Sequence, residues 1–424
     1  MTCSSEPLVN VGILESDTIE VTLHGAFSDS NGNRISGKVC LTEPIELAPM
    51  EKECSFTLHN VVIGIGFHWE QKMEQTFEGT LRVITMPSGR LMAINAVNVE
   101  KYLCSVISSE MNADAPEEFL KAHAVISRSW LLAQMQHKRK HCEQEMVENE
   151  NMRIKWYDHD DHTLFDVCAD DHCQRYQGLR QDMQETVSRA IEATRGVVLT
   201  SNGELCDARF SKCCGGIMEK FSTCWGNENP IYLAAKRDYD CSLPMPDLTD
   251  EHEARKWCLE KPKAWCAAPS PSLLSKVLNG YDLDTPDFYR WKVEYTAREL
   301  ATLVQERTGV DFGSILAITP IHRGPSARID VLEIKGTKHS MTIGKELEIR
   351  RSLSKTHLYS SAFVADALDV DADGVPQRWI FNGAGWGHGV GLCQIGAASM
   401  ADAGITHDLI LQHYYPGSQL SRLY

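Results

Sequence analysis

The beginning of the chain alternates in short runs. Leu8–Leu14, Ile19–Leu23, Phe56–Ile65 and Thr80–Ile84 are rich in Val, Ile, Thr and Phe and are separated by clusters of Gly, Asn, Asp or Ser. Runs of this length and residue type suit a half-buried pleated surface, so they predict strands. Pro87-Ser88-Gly89 lies between Leu81–Met86 and Arg90–Ala96 and predicts a hairpin turn. The period then changes. Val99, Tyr102, Leu103, Val106 and Ile107 keep a helical spacing that places them on one face, and Glu110 continues that face at its end. Pro116, followed by Glu117 and Glu118, signals a second helix whose stripe is Phe119, His123, Ile126 and Trp130.

Further along, Gln181–Glu192 predicts a helix, Val197–Thr200 a strand and Ser201-Asn202-Gly203 a turn. Residues 233–290 are loop-rich, with Pro at 244, 246, 262, 269, 271 and 286. Strands at Arg290–Thr296, Ile315–Arg323 and Ile329–Gly336 and a helix at Ala297–Glu306 follow, then a helix near Ala397–Ala403 and a last segment Ile410–Tyr415. No repeat of fixed period is present. The pattern predicts an α+β protein with a mainly-β N-terminal domain, residues 1–97, followed by a mixed α/β body, residues 98–424.

Composition narrows the function classes. The chain has 424 residues, 43% of them hydrophobic and 24% charged, which is ordinary globular usage. Its net charge is −16 and it has no basic stripe, so nucleic acid is excluded as an expected partner. No apolar run approaches the ~18 residues of a membrane helix. Met1–Pro7 has neither a basic nor an apolar region of the signal-peptide kind, so no signal peptide is expected in the chain as written. The 15 cysteines are odd in number and several stand beside His, which fits metal sites or reduced thiols better than a disulfide framework. Ten Asp/Glu against Arg153 and Lys155 make residues 141–173 strongly acidic, and 141–161 reads as a solvated insertion.

Several residues could carry chemistry. Glu110, at the end of an apolar helix face, either turns out to solvent or is a half-buried acid, a state that favours the protonated form a general acid needs. Arg128, between Ile126 and Trp130, either snorkels or meets an anion in a cleft. His162, Cys168, His172 and Cys173 are four zinc-type donors within twelve residues, although two buried thiols and two surface histidines would look the same. Cys206, Cys213, Cys214 and Cys224 form a second group, but the adjacent Cys213 and Cys214 cannot both point one way on a strand. Gly383–Gly396 holds six glycines in fourteen residues, a backbone with special torsions or one closely approached by a ligand. It lacks the Lys-Ser/Thr of a phosphate loop. Trp386 and His388 within it suggest a wall for a sugar or polymer, while a tight structural loop would need the same glycines.

These segments together resemble the SpoIID/LytB family, named for a sporulation cell-wall protein and an amidase enhancer. VISSEMNADAP (Val106–Pro116) with LKAHAVISRSW (Leu120–Trp130), FDVCADDHCQRYQG (Phe165–Gly178), FSKCCGGIMEKFSTCWG (Phe210–Gly226) and Gly385–Ala397 with HYYPG (His413–Gly417) carry the resemblance in the family's order over about residues 97–424. The resemblance implies a peptidoglycan lytic transglycosylase that cuts between N-acetylmuramic acid and N-acetylglucosamine and leaves a 1,6-anhydro product. It implies Glu110 as the catalytic acid/base and Arg128 as a residue of the substrate cleft; Trp386, His388 and Gln394 lie in the signature loop and are further candidate substrate contacts, a role the resemblance itself does not assign. It also implies a structural Zn²⁺ on His162, Cys168, His172 and Cys173, holding the acidic flap of a catalytic body with loop-rich insertions. One Glu suffices for such a route, because the sugar's own 6-hydroxyl is the nucleophile, whereas hydrolysis needs two carboxyl groups. No second carboxylate is evident in the sequence; Glu219 is the next to consider.

The expected partner is a peptidoglycan glycan strand, and the place expected from that substrate is the cell envelope, with the cytoplasm as the alternative that the missing signal peptide leaves open. A non-catalytic wall-binding protein that enhances an amidase is the rival implied by the family's second name. The chain departs from the family's pattern at Met218, at Cys213-Cys214 in place of small hydroxyl residues, and at Leu392-Cys393 in place of the commoner Met-Ser.

Overall fold

The computed structural model describes residues 5–65, 70–137, 146–157, 162–170, 172–179, 184–239, 242–283 and 287–424. Glu143, Glu145, Asp158, Asp160, Asp161 and Asp171 of the acidic stretch, and the expected helix start at Gln181, lie outside them. Eight strands open the chain: β1 (Leu8–Ser16), β2 (Ile19–Ser28), β3 (Arg34–Leu41), β4 (Ile45–Pro49), β5 (Ser55–Ile63), β6 (Gln71–Glu78), β7 (Thr80–Thr85) and β8 (Leu91–Asn98). They form one curled sheet in the order β1-β8-β7-β4-β2-β5-β6, with β3 beside β2. The expected hairpin is the β7–β8 connection, closed by Met86 N–H on the Arg90 carbonyl at 2.8 Å, with Gly89 at φ +82°.

β8 is buried on both faces from Leu91 to Val97 and runs directly into helix α1 (Val99–Glu110). Helix α2 (Glu117–His137) follows after Pro116. Val99, Tyr102, Leu103, Val106 and Ile107 are wholly buried, as their spacing predicts. α2 goes further, because every residue from Ala122 to Ala133 is buried. It is the central helix of the molecule, not an amphipathic surface helix.

The N-terminal sheet and the helices share one hydrophobic core that includes Val9, Phe56, Val106, Val125, Leu392 and Tyr415. The β8–α1 junction falls where the 97/98 boundary is expected, yet apolar packing crosses it. A second core gathers Trp291, Leu300, Phe312, Ile329, Leu332 and Phe381. It lies under the strands Arg290–Thr296, Ile315–Arg323, Ile329–Gly336, Ser340–Gly344, Phe363–Val370 and Pro376–Ala384.

Two expectations change here. The acidic insertion is not a plain solvated loop, since Met146–Asn149 and Met152–Lys155 form a hairpin that pairs in parallel with Ser340–Gly344. Alternation of Met, Val and Ile with charged residues gives that hairpin an apolar side despite its net charge. Residues 233–290 also contain helices, Glu251–Leu259 and Pro271–Val277, capped by Asp250 and Ser270 side chains on backbone N–H groups. Among the described residues no helix is long and apolar enough to cross a membrane.

Candidate functional site

A cleft of about 760 Å³ opens at the C-terminal end of α1. Met111 leaves the helix in an extended conformation (φ −138°, ψ 162°), so Glu110 is its last residue and the side chain is half-buried at the cleft. Glu110 Oε1 accepts the Arg175 backbone N–H at 3.0 Å. Lys212 Nζ donates to the Glu110 carbonyl at 3.4 Å and to Asp282 Oδ2 at 2.8 Å. The Arg175 guanidinium stands 3.8 Å from that same Asp282 oxygen. The acid therefore sits beside two cations that share a buried carboxylate. Sequence reasoning missed Arg175, Lys212 and Asp282. The first two lie inside the family-like stretches, whereas Asp282 is carried by a region with no recognisable pattern.

The opposite wall is made by Trp386, His388 and Gln394, each of which lines the cleft as expected. Trp386 stacks on Phe288 with ring centroids 5.2 Å apart and meets Tyr359 edge-on at 5.3 Å. His388 Nδ1 accepts the Val390 N–H at 3.0 Å, and its ring also bonds the Phe210 backbone. Burial, with Arg209, Arg328 and Arg350 nearby, holds its pKa well below the ordinary value, so this imidazole is neutral. Both its nitrogens serve the loop itself. Gln394 Nε2 donates to His123 Nε2 at 3.0 Å, and burial keeps His123 neutral with its pKa lowered to about 3.

The glycines of this wall answer to the chain's own packing. At Gly389, where φ is +74°, a Cβ would come within 2.4 Å of the Arg328 guanidinium; at Gly391, where φ is +72°, it would meet the Arg209 carbonyl at 2.0 Å. Arg328 donates to the carbonyls of Gly387 (3.1 Å) and Cys214 (3.1 Å), and Phe210–Ser211 pairs in parallel with Leu392–Cys393. The close approach is by protein and needs no phosphate.

One expected role is corrected, and the next carboxylate considered is placed away from the cleft. Arg128 is wholly buried on the central helix and is not part of the cleft wall. Its guanidinium grips Glu100 at 3.0 and 2.6 Å and the Val197 carbonyl at 2.8 Å. A helix buried all round leaves an arginine no route to water, so it needs an internal anion. Glu219 is likewise wholly buried, accepting from Lys220 N–H (2.8 Å), Thr223 Oγ1 (3.0 Å), Ser326 N–H (3.1 Å) and Ser326 Oγ (2.7 Å). It ties the 219–223 turn to residue 326.

His162, Cys168, His172 and Cys173 come together, with one donor atom from each lying within 4.8 Å of all the others. Cys168 ends a two-residue strand that pairs in parallel with β1 (Val11 with Val167, Gly12 with Cys168), so the sheet edge fixes one donor. His162 Nε2 is buried without a hydrogen bond. Two thiols and two imidazoles at this separation suit a tetrahedral Zn²⁺ ion. Directly after Cys173, Gln174 accepts from Tyr102 Oη at 3.2 Å, Arg175 N–H holds Glu110, and Tyr176 stacks on Tyr102. The cluster thus anchors the segment that orients the acid.

The chain is similar to known proteins. A family model described as Stage II sporulation protein matches residues 87–201, and one described as a domain of unknown function (DUF8618) matches residues 219–391. The amidase enhancer of Bacillus subtilis (strain 168) is 26% identical over 242 residues, 55% of this chain but 32% of that protein. The chain thus spans about a third of that relative. Stage II sporulation protein D of the same organism is 24% identical over 338 residues, 78% of this chain and 76% of that protein. An uncharacterized protein of Brachyspira hyodysenteriae is 24% identical over 327 residues, covering 77% of this chain and 67% of the relative. The helix pair that ends at Glu110 and continues through α2 lies inside the sporulation-protein match, so the chain is similar to the SpoIID/LytB family in the region that carries Glu110.

Proposed function

We propose that the chain acts on the cell wall as a lytic transglycosylase, cleaving peptidoglycan glycan strands between N-acetylmuramic acid and N-acetylglucosamine. The observation that carries this reading is a half-buried Glu110 at a cleft also lined by the carboxylates Asp170, Asp282 and Glu346, of which Asp282 and Glu346 are each paired with a cation. Lys212 and Arg175 leave Asp282 no role as a free nucleophile or base, which supports a single-carboxylate route. Protonated Glu110 donates to the glycosidic oxygen as the C1–O4 bond breaks. The muramic acid O6 then bonds to C1 and returns its proton to the Glu110 carboxylate, closing the 1,6-anhydro ring. Trp386 offers an apolar face to a sugar, and Gln394, aligned by neutral His123, a polar one.

A Zn²⁺ ion on His162, Cys168, His172 and Cys173 would be structural, a closed four-ligand site that fixes residues 168–176. Because the substrate lies outside the cytoplasm, the working place would be the cell envelope, which cell fractionation would test. Digestion of purified glycan strands followed by mass spectrometry should reveal anhydromuramic ends with the parent and none with Glu110→Gln.

The amidase-enhancer relative supports a second reading, in which the cleft binds glycan and presents it to an amidase without cutting it. Glycan binding by the parent without any anhydro product would establish that alternative in place of the first.

A further inference from the structure

Two of the chain's departures from the family pattern meet in space with a cysteine from its loop-rich region. Cys214, Cys266 and Cys393 converge on Asp238, all four are buried, and one donor atom from each lies within 4.8 Å of the others. We propose that these four residues form a second metal site, a buried structural site for one Zn²⁺ ion, separate from the His162–Cys173 cluster. The proposal does not depend on the transglycosylase reading.

The geometry around the sulfurs is that of metal ligands. With a Zn–S bond of about 2.3 Å, a tetrahedral site separates two sulfurs by about 3.8 Å. Cys214 and Cys266 Sγ stand 3.6 Å apart, close to that edge and far from the roughly 2.05 Å of a disulfide. Backbone N–H groups are aimed at the sulfurs. Cys393 Sγ accepts from Cys214 N–H (3.2 Å) and Gly396 N–H (3.4 Å), and Cys214 Sγ accepts from Gly216 N–H (3.3 Å). Such outer-sphere bonds orient and stabilise metal-bound thiolates.

Asp238 supplies the second argument. It is wholly buried, yet among the described residues neither a Lys nor an Arg pairs with it. Its nearest base, His413 Nε2, is 3.6 Å from Oδ1, beyond hydrogen-bond length. Oδ1 accepts from Tyr414 Oη at 2.6 Å, while Oδ2 faces the cluster beside the Cys266 N–H at 3.3 Å. A buried carboxylate without a cation is costly, and a divalent ion between it and three sulfurs removes that cost. Only glycine at 396 lets the helix Gln394–Asp402 start so close, since a Cβ there would lie 2.8 Å from Asp238 Oδ2. The ion would clip the first turn of that helix, and with it Gln394 of the cleft wall, to residues 214, 238 and 266.

The test is metal counting on the full chain, purified under reductant without chelator and analysed by elemental and native mass spectrometry. Cys266→Ser and Asp238→Asn should each lower the zinc content by one equivalent per chain while circular dichroism stays that of the parent. Cys168→Ser with Cys173→Ser should leave the equivalent that Cys266→Ser removes. If the Cys266 variant fails to fold, X-ray absorption on the parent decides, and a sulfur-rich average with five thiolates over two ions is expected. Unchanged zinc in folded Cys266→Ser would overturn the proposal. So would complete zinc loss in the Cys168/Cys173 variant, or a Cys214–Cys266 disulfide in the protein as isolated.

Discussion

The two walls of the cleft use buried polar groups in opposite ways. On the wall built by α1, α2 and residues 172–177, ion pairs and hydrogen bonds hold helices together and leave one carboxyl, Glu110, at the edge of open space. On the wall built by residues 209–223 and 385–394, buried Glu219, His388 and the supporting Arg328 are spent on holding neighbouring segments of the chain together. Arg328 binds carbonyls, His388 binds Val390 and Phe210, and Glu219 binds four donors. Glycine lets this second wall pack densely. A buried ionisable side chain is a candidate for chemistry only when part of its hydrogen-bonding capacity faces the cavity. Glu110 lines the cleft, whereas Arg128 and Glu219 are wholly buried away from it.

Substitutions can break that contrast. The largest effect is expected at Glu110→Gln, which keeps the Arg175 contact but removes the transferable proton. Anhydro-sugar release should fall about 10²–10⁴-fold with little change in melting temperature. Near-normal release would move the chemistry to another group. Arg128→Met should do the reverse, destabilising the fold by about 3–5 kcal/mol because Glu100 is left buried and unpaired. Glycan affinity per folded molecule should hold, and urea titration beside a pull-down with glycan strands separates the two. Glu219→Gln belongs on the same side, with a loss of about 1–3 kcal/mol as two Ser326 donors lose a carboxylate oxygen.

The smallest effect is on pH dependence. Burial lowers the pKa of His123 to about 3, and burial with Arg350 and Arg351 nearby does the same for His357. The unfolded chain protonates these rings below about pH 6.5, whereas the folded chain does so only near pH 3. Their contribution to stability is therefore complete above about 6.5 and is lost as pH falls, by at most about 1.4 kcal/mol per pH unit for each ring. Proton uptake on urea unfolding at pH 5, compared with pH 7.5, checks the sign. Equal uptake at both would show that these rings are charged in the fold.

The first wall was largely legible in the sequence. A 3.6-residue period, a proline at the second helix start and four donors within twelve residues are local signals, and each marks an element or cluster that the structure contains. Arg128 misled because its neighbours on the stripe cannot reveal that the helix is buried on its other side too. That depends on the strand Val197–Ser201 and on Glu100, which only the fold brings near. Asp282 and the Cys214–Cys393 cluster were illegible for the same reason. Their partners lie from more than twenty to nearly two hundred positions away, beyond the range at which spacing along one helix or strand carries information. The acidic hairpin was hidden by its own charge, since a strand needs only one apolar side to dock.

The parallel pairing of Phe210–Ser211 with Leu392–Cys393 also sets an order of assembly. α1 and α2 are neighbours in sequence, and contacts between such neighbours close short loops that form early. The second wall needs segments about 180 residues apart to find one register, at the larger entropic penalty of a long loop. A folding chain would then carry Glu110 on its helix before the Trp386 wall of the cleft is in place. Pulse-labelling hydrogen exchange should show the amides of Leu392 and Gly396 gaining protection after those of α2. On the proposed transglycosylase reading, an immature chain would be unable to cut any strand until its far segments had met.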